Sequence, residues 1–342
     1  MKMRTFLGAV VASLIASAAV HAQSPDAFYK GKRVTIEVGS AAGSGYDAYA
    51  RLVARHMTNH LPGNPSVVVQ NLPGGGGLTS ANHLYNVVAR DGTTIGSVQR
   101  GLLISPLIMP DGVKYDVTKF RWLGSTNAES GVVAVWHTAP FQTISDVMQH
   151  EMVVGGSGPY TDSETTPRAY NRILGTKFKI VSGYESTAPV LLAMERGEVQ
   201  GIGNSSWSNW TTTYAHYLKD KTVRLLLQSG PDKNPDLPDV PMAMYLAKTE
   251  ADRQALDLLL APNKIGRPFV APPEVPQDRI AALRAAFDAT VADPTLRAEA
   301  KAQNMDISPV TGTYIEQTVA RLYALPAAVV KRASEAIQPE RK

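Results

Sequence analysis

The sequence reads Val67-Val68-Val69-Gln70-Asn71-Leu72-Pro73-Gly74-Gly75-Gly76-Gly77-Leu78 where its glycines are densest. The β-branched run predicts a strand, and the apolar spacing over residues 79–89 predicts a helix directly after the glycines. Glycine has no Cβ and tolerates positive φ, so the backbone N–H groups of such a loop can approach a ligand closely. The N-terminus of the following helix adds partial positive charge. This segment therefore predicts an anion-binding loop, and the alternative is an ordinary tight turn between strand and helix.

A similar unit lies one strand earlier in the chain. The sequence predicts a strand over residues 34–38, a glycine-containing loop over residues 39–45 and a helix over residues 48–60. Tyr46 and Asp47 stand at the start of this helix. Neither unit carries an obvious catalytic group. Two such units in tandem therefore favour capture of an anion over its chemical conversion.

The N-terminus has the pattern of a secretory signal. Lys2 and Arg4 precede an apolar run over residues 6–20, and Val20-His21-Ala22 fits a small-residue cleavage site. The apolar run is short for a membrane span. The pattern predicts a signal peptide over residues 1–22, cleaved near Ala22, and a periplasmic mature protein; an uncleaved anchor is the alternative.

The composition of the chain argues against several classes of protein. The chain has 342 residues and no cysteine, which excludes disulfides and a lipoprotein anchor, and about 320 residues after the signal predict two domains. The formal charge of +4 includes Lys2 and Arg4, so the mature chain is close to +2. Lysines and arginines are scattered along the chain, which gives little support for nucleic-acid binding.

Strand and helix patterns alternate along most of the chain. The predicted strands cover residues 34–38, 66–70, 94–98, 120–125, 131–137, 152–155, 178–182, 199–202 and 223–228; the predicted helices cover 48–60, 79–89, 188–196, 207–219, 277–292 and 313–337. This alternation predicts a parallel α/β architecture. We predict two lobes: residues 23–126 begin lobe 1, residues 127–229 form lobe 2, and residues 230–342 cross over and return to lobe 1. In such a clamshell the ligand cleft lies between the lobes, at the carboxyl ends of the strands.

Five segments occur in an order that is characteristic of one family. Residues 43–51 resemble Gly-Gly-x-x-Asp-x-x-Ala-Arg, 67–77 resemble Val-Val-Val-Glu-Asn-x-Pro-Gly-Ala-Gly-Gly, 91–95 resemble Asp-Gly-Tyr-Thr-Leu, 183–189 resemble Pro-Tyr-Lys-Gly-x-x-Pro, and 237–241 match Leu-Pro-Asp-Val-Pro. Together they resemble the solute-binding receptors of tripartite tricarboxylate transporters, called the Bug family, over nearly the whole mature chain.

This resemblance implies a two-lobed, type II periplasmic-binding-protein-like fold and no enzymatic activity. It implies an extracytoplasmic receptor that captures a small organic carboxylate, without a cofactor, for permease subunits or a sensor in the membrane. Backbone N–H groups and ordered water would hold one carboxylate at two loops, which comprise Ser44, Gly45, Tyr46, Asp47, Gly75, Gly76, Gly77 and Leu78. The candidate contacts from lobe 2 are Ser157, Tyr160, Thr161, Tyr184, Glu185, Ser186, Asn204, Ser205 and Trp207.

Several of these residues have a structural alternative. Asp47 can cap its helix instead of touching the ligand, and Arg51 is expected to pair with Asp47 or with a surface acid. Trp207 and Trp210 share a helix face, so they can pack in the core or form a flat wall for the ligand. No second cationic clamp is evident, so one carboxylate with a planar or mostly uncharged remainder fits better than citrate.

Enzymatic patterns are weak. His56 and His60 have a spacing that can bind zinc, but no HExxH pattern surrounds them, and we expect solvated or core histidines. Residues 43–48 fit a dinucleotide fingerprint, yet Gln70 and Asn71 stand where that fingerprint expects an acid. We expect no catalytic residue and no metal; a secreted α/β hydrolase or oxidoreductase is the alternative function.

Overall fold

The computed structural model describes residues 24–159, 161–230 and 232–338, so the predicted signal and Tyr160 lie outside the described residues. The strands, in chain order, are β1 (Arg33–Val38), β2 (Ser66–Asn71), β3 (Thr94–Ser97), β4 (Arg121–Ser125), β5 (Gly131–Trp136), β6 (Met152–Gly156), β7 (Phe178–Ser182), β8 (Gly201–Ser206), β9 (Val223–Ser229), β10 (Pro268–Ala271) and β11 (Val310–Thr311). They form two sheets, one of six strands and one of five.

The first sheet has the strand order β11-β4-β10-β3-β1-β2. Strand β1 pairs in parallel with β2 and β3, while β10 runs antiparallel between β3 and β4. The second sheet has the order β7-β6-β8-β5-β9, with β6 parallel to β7 and β8, and β5 antiparallel to β8 and β9. The prediction of α/β architecture is confirmed, and both sheets are mixed, because β5, β10 and β11 run antiparallel to the strands beside them.

Helices cover both sheets. In chain order they are α1 (Pro25–Tyr29), α2 (Gly45–Met57), α3 (Leu78–Asn86), α4 (Ser105–Ile108), α5 (Ile144–Gln149), α6 (Asp162–Leu174), α7 (Thr187–Glu195), α8 (Trp207–Thr211), α9 (Ala215–Lys219), α10 (Glu250–Leu260), α11 (Gln277–Ala292), α12 (Pro294–Ala302), α13 (Gly312–Tyr323) and α14 (Ala327–Ile337). No helix in the described ranges combines the length and the apolarity that crossing a membrane requires.

The chain passes from the first sheet to the second between β4 and β5, and it returns between β9 and β10. Helices from the last part of the chain pack on both sides of the cleft region: α13 packs on β4 of the first sheet, whereas α10 and α14 pack against α6 of the second. Helix α6 in turn covers β6, β7 and β8. The lobe boundaries predicted from the sequence remain a prediction.

Three predicted elements differ from the structure. The helix predicted over residues 207–219 is split into α8 and α9. The helix predicted over residues 313–337 is split before Pro326 into α13 and α14, because proline cannot donate the backbone hydrogen bond that a continuous helix needs. The strand predicted over residues 199–202 extends to Ser206 in β8. Helices α1, α4, α5, α6, α10 and α12 and strands β10 and β11 have no counterpart in the prediction.

Helix α2 contacts α12 through histidine–carboxylate pairs. His60 Nε2 lies 2.8 Å from Asp293 Oδ2, and His56 Nε2 lies 2.7 Å from Glu299 Oε2. His56 of α2 therefore pairs with an acid inside α12, whereas His60, which lies beyond the end of α2, pairs with the residue that caps α12. Among the residues that the structure describes, no group of three or more potential metal ligands occurs.

Because of these pairs, we expect the folded protein to be less stable in acid. Hydrogen bonds from Thr295 and then from His60 lower the pKa of Asp293, and His56 and Arg55 lower the pKa of Glu299. A carboxyl group whose pKa is lower in the folded state stabilises the fold above its unfolded pKa, and this stabilisation is lost as pH falls below about 4. We expect the free energy of unfolding, measured by urea titration, to fall over this range. Asp293→Asn keeps an oxygen that can cap α12 and should show a shallower fall; an unchanged slope would contradict the assignment.

Candidate ligand-binding cleft

A cavity of about 560 Å³ lies between the two sheets. Its walls come from the loops after β1, β2 and β3 on one side and from those after β6, β7 and β8 on the other. All six loops follow the carboxyl ends of strands that pair in parallel, where open α/β sheets bind their ligands. Most predicted site residues line this cleft, namely Ser44, Gly45, Tyr46, Gly75, Gly76, Gly77, Ser157, Thr161, Tyr184, Glu185, Ser186, Asn204 and Ser205.

The second glycine loop has a backbone that other residues rarely adopt. The φ angles of Gly74, Gly75, Gly76 and Gly77 are 137°, 56°, 67° and 94°. A Cβ on Gly77 would lie 2.5 Å from Cγ of Gln99, and one on Gly74 would lie 2.5 Å from Oγ1 of Thr79. Both the positive φ and the close packing therefore require glycine, as predicted from the sequence.

Two pairs of residues that line the cleft begin a helix or a helical turn. Gly45 and Tyr46 are the first residues of α2, and Gly75 and Gly76 are the first residues of a 3₁₀ turn, Gly75–Gly77, that leads into α3. The first N–H groups of a helix have no acceptor within that helix. All four residues line the cavity. The residues that line the cleft thus include two pairs from different loops, and one pair lies at the N-terminus of the 13-residue helix α2, where the helix dipole favours negative charge.

Asp47 braces the first loop instead of lining the cleft. Its carboxylate accepts hydrogen bonds from Gly43 N at 2.8 Å, Asn71 Nδ2 at 2.9 Å and Arg51 Nε at 3.0 Å. Burial alone raises the pKa of Asp47, but the hydrogen bonds from Arg51, Gly43 and Asn71 outweigh burial and lower it. Asp47 therefore ties the first glycine loop to the end of β2, and the expected pairing with Arg51 is present.

Three other predicted residues do not line the cleft or lie outside the described part. Leu78 is buried in the core beside Ala81 and Leu84. Trp207 lines a different groove, where its Nε1 donates to Asp236 Oδ2 at 3.4 Å, so it forms no flat wall for a ligand in the cleft. Tyr160 is outside the described residues.

The aromatic surface of the cleft comes from tyrosines. Trp210 is fully buried and its Nε1 donates to Ser205 Oγ at 2.6 Å, which fits the core-packing alternative. Tyr46, Tyr184 and Tyr214 line the cleft. Neither Trp207 nor Trp210 lines the cleft, so its aromatic surface comes from phenol rings, of which Tyr184 was a predicted contact.

Lobe 2 contributes a cluster of hydroxyl groups at the start of α6. Ser157 N donates to Ser163 Oγ at 3.0 Å, and Thr161 Oγ1 donates to Gly158 O at 2.7 Å. Within the described part of the chain, the buried Oδ1 of Asn204 accepts no hydrogen bond. The cluster gives this wall donors and acceptors without a net charge.

Among the residues that line the cleft, sequence reasoning missed Gln99, Asn209, Tyr214 and Arg267. Arg267 lies almost fully buried, 3.5 Å from Glu129 Oε2, and its NH2 donates to Ser208 Oγ at 2.9 Å and to Asn209 Oδ1 at 3.1 Å. Its guanidinium also stacks over the ring of Tyr46 at 4.4 Å. The available signal was an arginine between Gly266 and Pro268, directly before the apolar strand β10.

A second buried arginine also joins the two walls. Arg100, which follows β3, donates to Ser206 Oγ at 3.0 Å and forms an ion pair with Asp162 at the start of α6. Burial alone lowers the pKa of Arg100, but Asp162 and other neighbouring groups raise it overall, so the guanidinium is charged. Arg100 and Arg267 therefore both reach from the first sheet to the β8–α8 junction of the second. A Cβ on Gly158 would lie only 3.6 Å from Gly76 N, so the two walls also meet across the cleft.

Two mixed sheets with a cleft between them define a two-lobed solute-binding protein. The family model described as tripartite tricarboxylate transporter family receptor matches residues 49–333, and the chain belongs to this family. Its members are receptors and not enzymes, so the hydrolase and oxidoreductase alternatives are set aside.

Comparison with individual proteins agrees with this family. A UPF0065 protein of Bordetella bronchiseptica is 23% identical over 278 residues, which cover 75% of this chain and 78% of the relative. The structure of the periplasmic binding protein BugD has a TM-score of 0.70 at 18% identity and covers 90% of this chain and 97% of its own. MatC from Rhodopseudomonas palustris with bound malate has a TM-score of 0.69 at 19% identity and covers 90% of this chain and 99% of its own. These structures share the fold.

Proposed function

We propose that this protein is an extracytoplasmic receptor that captures a small organic carboxylate in the cleft and presents it to a membrane permease or sensor. One observation carries the proposal: two pairs of backbone N–H groups, at Gly45–Tyr46 and at Gly75–Gly76, lie in one cleft. Such donors suit a carboxylate because they supply partial positive charge without a flexible side chain. The family match and the malate in the related fold of MatC support this ligand class.

The charges of the cleft favour a ligand with one carboxylate at the glycine loops over a tricarboxylate. The guanidinium of Arg267 is already paired with Glu129, and that of Arg100 with Asp162. A further buried carboxylate would lack a counter-charge, which costs several kcal/mol, on the order of the penalty for an unpaired buried ion. The remainder of the ligand would pack against Tyr184 and Tyr214.

Capture and release require the lobes to separate and close. The chain crosses between the sheets twice, which supports a hinge and the predicted division at residues 126/127 and 229/230. A ligand that contacts both walls favours the closed form because only that form makes both sets of contacts. Export after cleavage near Ala22 belongs to the same proposal, and the N-terminal residue of the exported protein tests it.

Titration calorimetry with matched mono-, di- and tricarboxylates tests the proposal. We expect a monocarboxylate or amphipathic acid to bind about tenfold or more tightly than citrate, because citrate brings at least one carboxylate without a partner. The same samples should show a smaller radius of gyration by small-angle scattering at saturation. Citrate as the tightest ligand would contradict the charge argument, and an unchanged radius would contradict closure.

A further inference from the structure

The charged side chains that line the cleft are Asp162, Glu185 and Arg267. Arg267 lies 3.5 Å from the Glu129 carboxylate, and Asp162 forms an ion pair with Arg100. Among the described residues, Glu185 belongs to no ion pair. The cleft therefore carries one charge that no neighbouring side chain neutralises, and this charge is negative.

Glu185 belongs to the wall opposite the backbone donors. It lies in the loop between β7 and α7, next to Tyr184, whereas the donors belong to the loops after β1 and β2 on the first sheet. Glu185 is exposed, so the ionised side chain needs no internal partner in the free protein. The two walls of the cleft thus differ in charge: the first carries partial positive charge, and the second carries the Glu185 carboxylate.

This arrangement distinguishes between ligands of equal length. A dicarboxylate with one end at the glycine loops brings its second carboxylate toward Glu185, and like charges repel. A ligand with a cationic nitrogen at that end meets an opposite charge, and the faces of Tyr184 and Tyr214 attract cations as well. Closure of the lobes around the ligand removes water and strengthens both effects.

We infer that the cleft selects a carboxylate that also carries a cationic nitrogen, an amino or quaternary ammonium carboxylate, with Glu185 as the specificity-determining residue. This inference rests on the proposed function, because the carboxylate end must occupy the glycine loops. The inference specifies the charge at the other end of the ligand, which the glycine loops do not determine.

Matched ligands and a charge-removing variant test the inference. Calorimetry would compare γ-aminobutyrate with butyrate and succinate, and 6-aminohexanoate with hexanoate and adipate, on the wild-type protein and on Glu185→Gln. We expect the wild type to bind one amino acid about tenfold more tightly than its monocarboxylate partner, in line with a charge pair that is partly withdrawn from water. Glu185→Gln should abolish this preference and improve binding of the dicarboxylate.

The control is Glu198→Gln, which removes the same charge from the surface of the same lobe, outside the cleft. It should retain the preference for the amino acid. Equal binding of amino acid and monocarboxylate to the wild type would overturn the inference, as would a preference that survives in Glu185→Gln. Failure of all six acids to bind would instead contradict the proposed carboxylate receptor itself, so the two failures are distinguishable.

Discussion

Gly76→Val is expected to weaken carboxylate binding by about 100-fold or more. Gly76 has a φ of 67°, which a β-branched residue adopts only with strain, so the loop must rearrange. Rearrangement misaligns the N–H groups of Gly75 and Gly76, and each hydrogen bond to a charged ligand group contributes roughly 1.5–3 kcal/mol. Losing both corresponds to at least two orders of magnitude in affinity. Titration calorimetry with the tightest acid measures the change.

The matched control is Gly197→Val. Gly197 has a φ of 73° just beyond the end of α7, and a Cβ there meets no atom within 4 Å. This variant therefore introduces similar backbone strain outside the cleft and should bind as the wild type does. If folded Gly76→Val also bound normally, the loop would be an ordinary turn and not the ligand's seat.

Arg267→Met is expected to destabilise the fold by about 3 kcal/mol or more, because it leaves the Glu129 carboxylate buried without a counter-charge. The side chains of Arg267 and Glu129 are each only 2% exposed. Adding Glu129→Gln to this variant should recover part of the loss, because the uncompensated charge is then removed. Urea denaturation of the two single variants and the double variant gives the coupling between the residues.

An exposed pair provides the comparison. Arg196 and Glu198 lie 3.8 Å apart with side chains 68% and 53% exposed, so Arg196→Met should change stability by less than about 1 kcal/mol. A loss at Arg267 no larger than the loss at Arg196 would show that the buried pair does not hold the cleft together.

Local sequence patterns were sufficient to predict β2, the glycine loop after it and the start of α3. The β-branched run and the four glycines predicted β2, the positive φ angles and the start of α3, because each of these depends on neighbouring residues only. The five family-like segments likewise led to the correct family.

Long-range packing accounts for most of what the sequence did not reveal. Helix α6 was not predicted, because Asp162-Ser163-Glu164-Thr165-Thr166-Pro167 has weak helix propensity, yet it packs against α10 and α14. The contact of Arg267 with Glu129 joins residues that are far apart in the chain, which no local pattern shows. Trp207 and Trp210 were predicted to share a helix face; both pack on one hydrophobic cluster, and neither lines the cleft.

A crystal structure of the mature protein with its tightest carboxylate bound tests the central claim most directly. The account predicts carboxylate oxygens within about 3 Å of the backbone nitrogens of the two glycine loops, at Gly45–Tyr46 and Gly75–Gly76. A carboxylate bound instead to the guanidinium of Arg267, or in the groove beside Trp207, would contradict it.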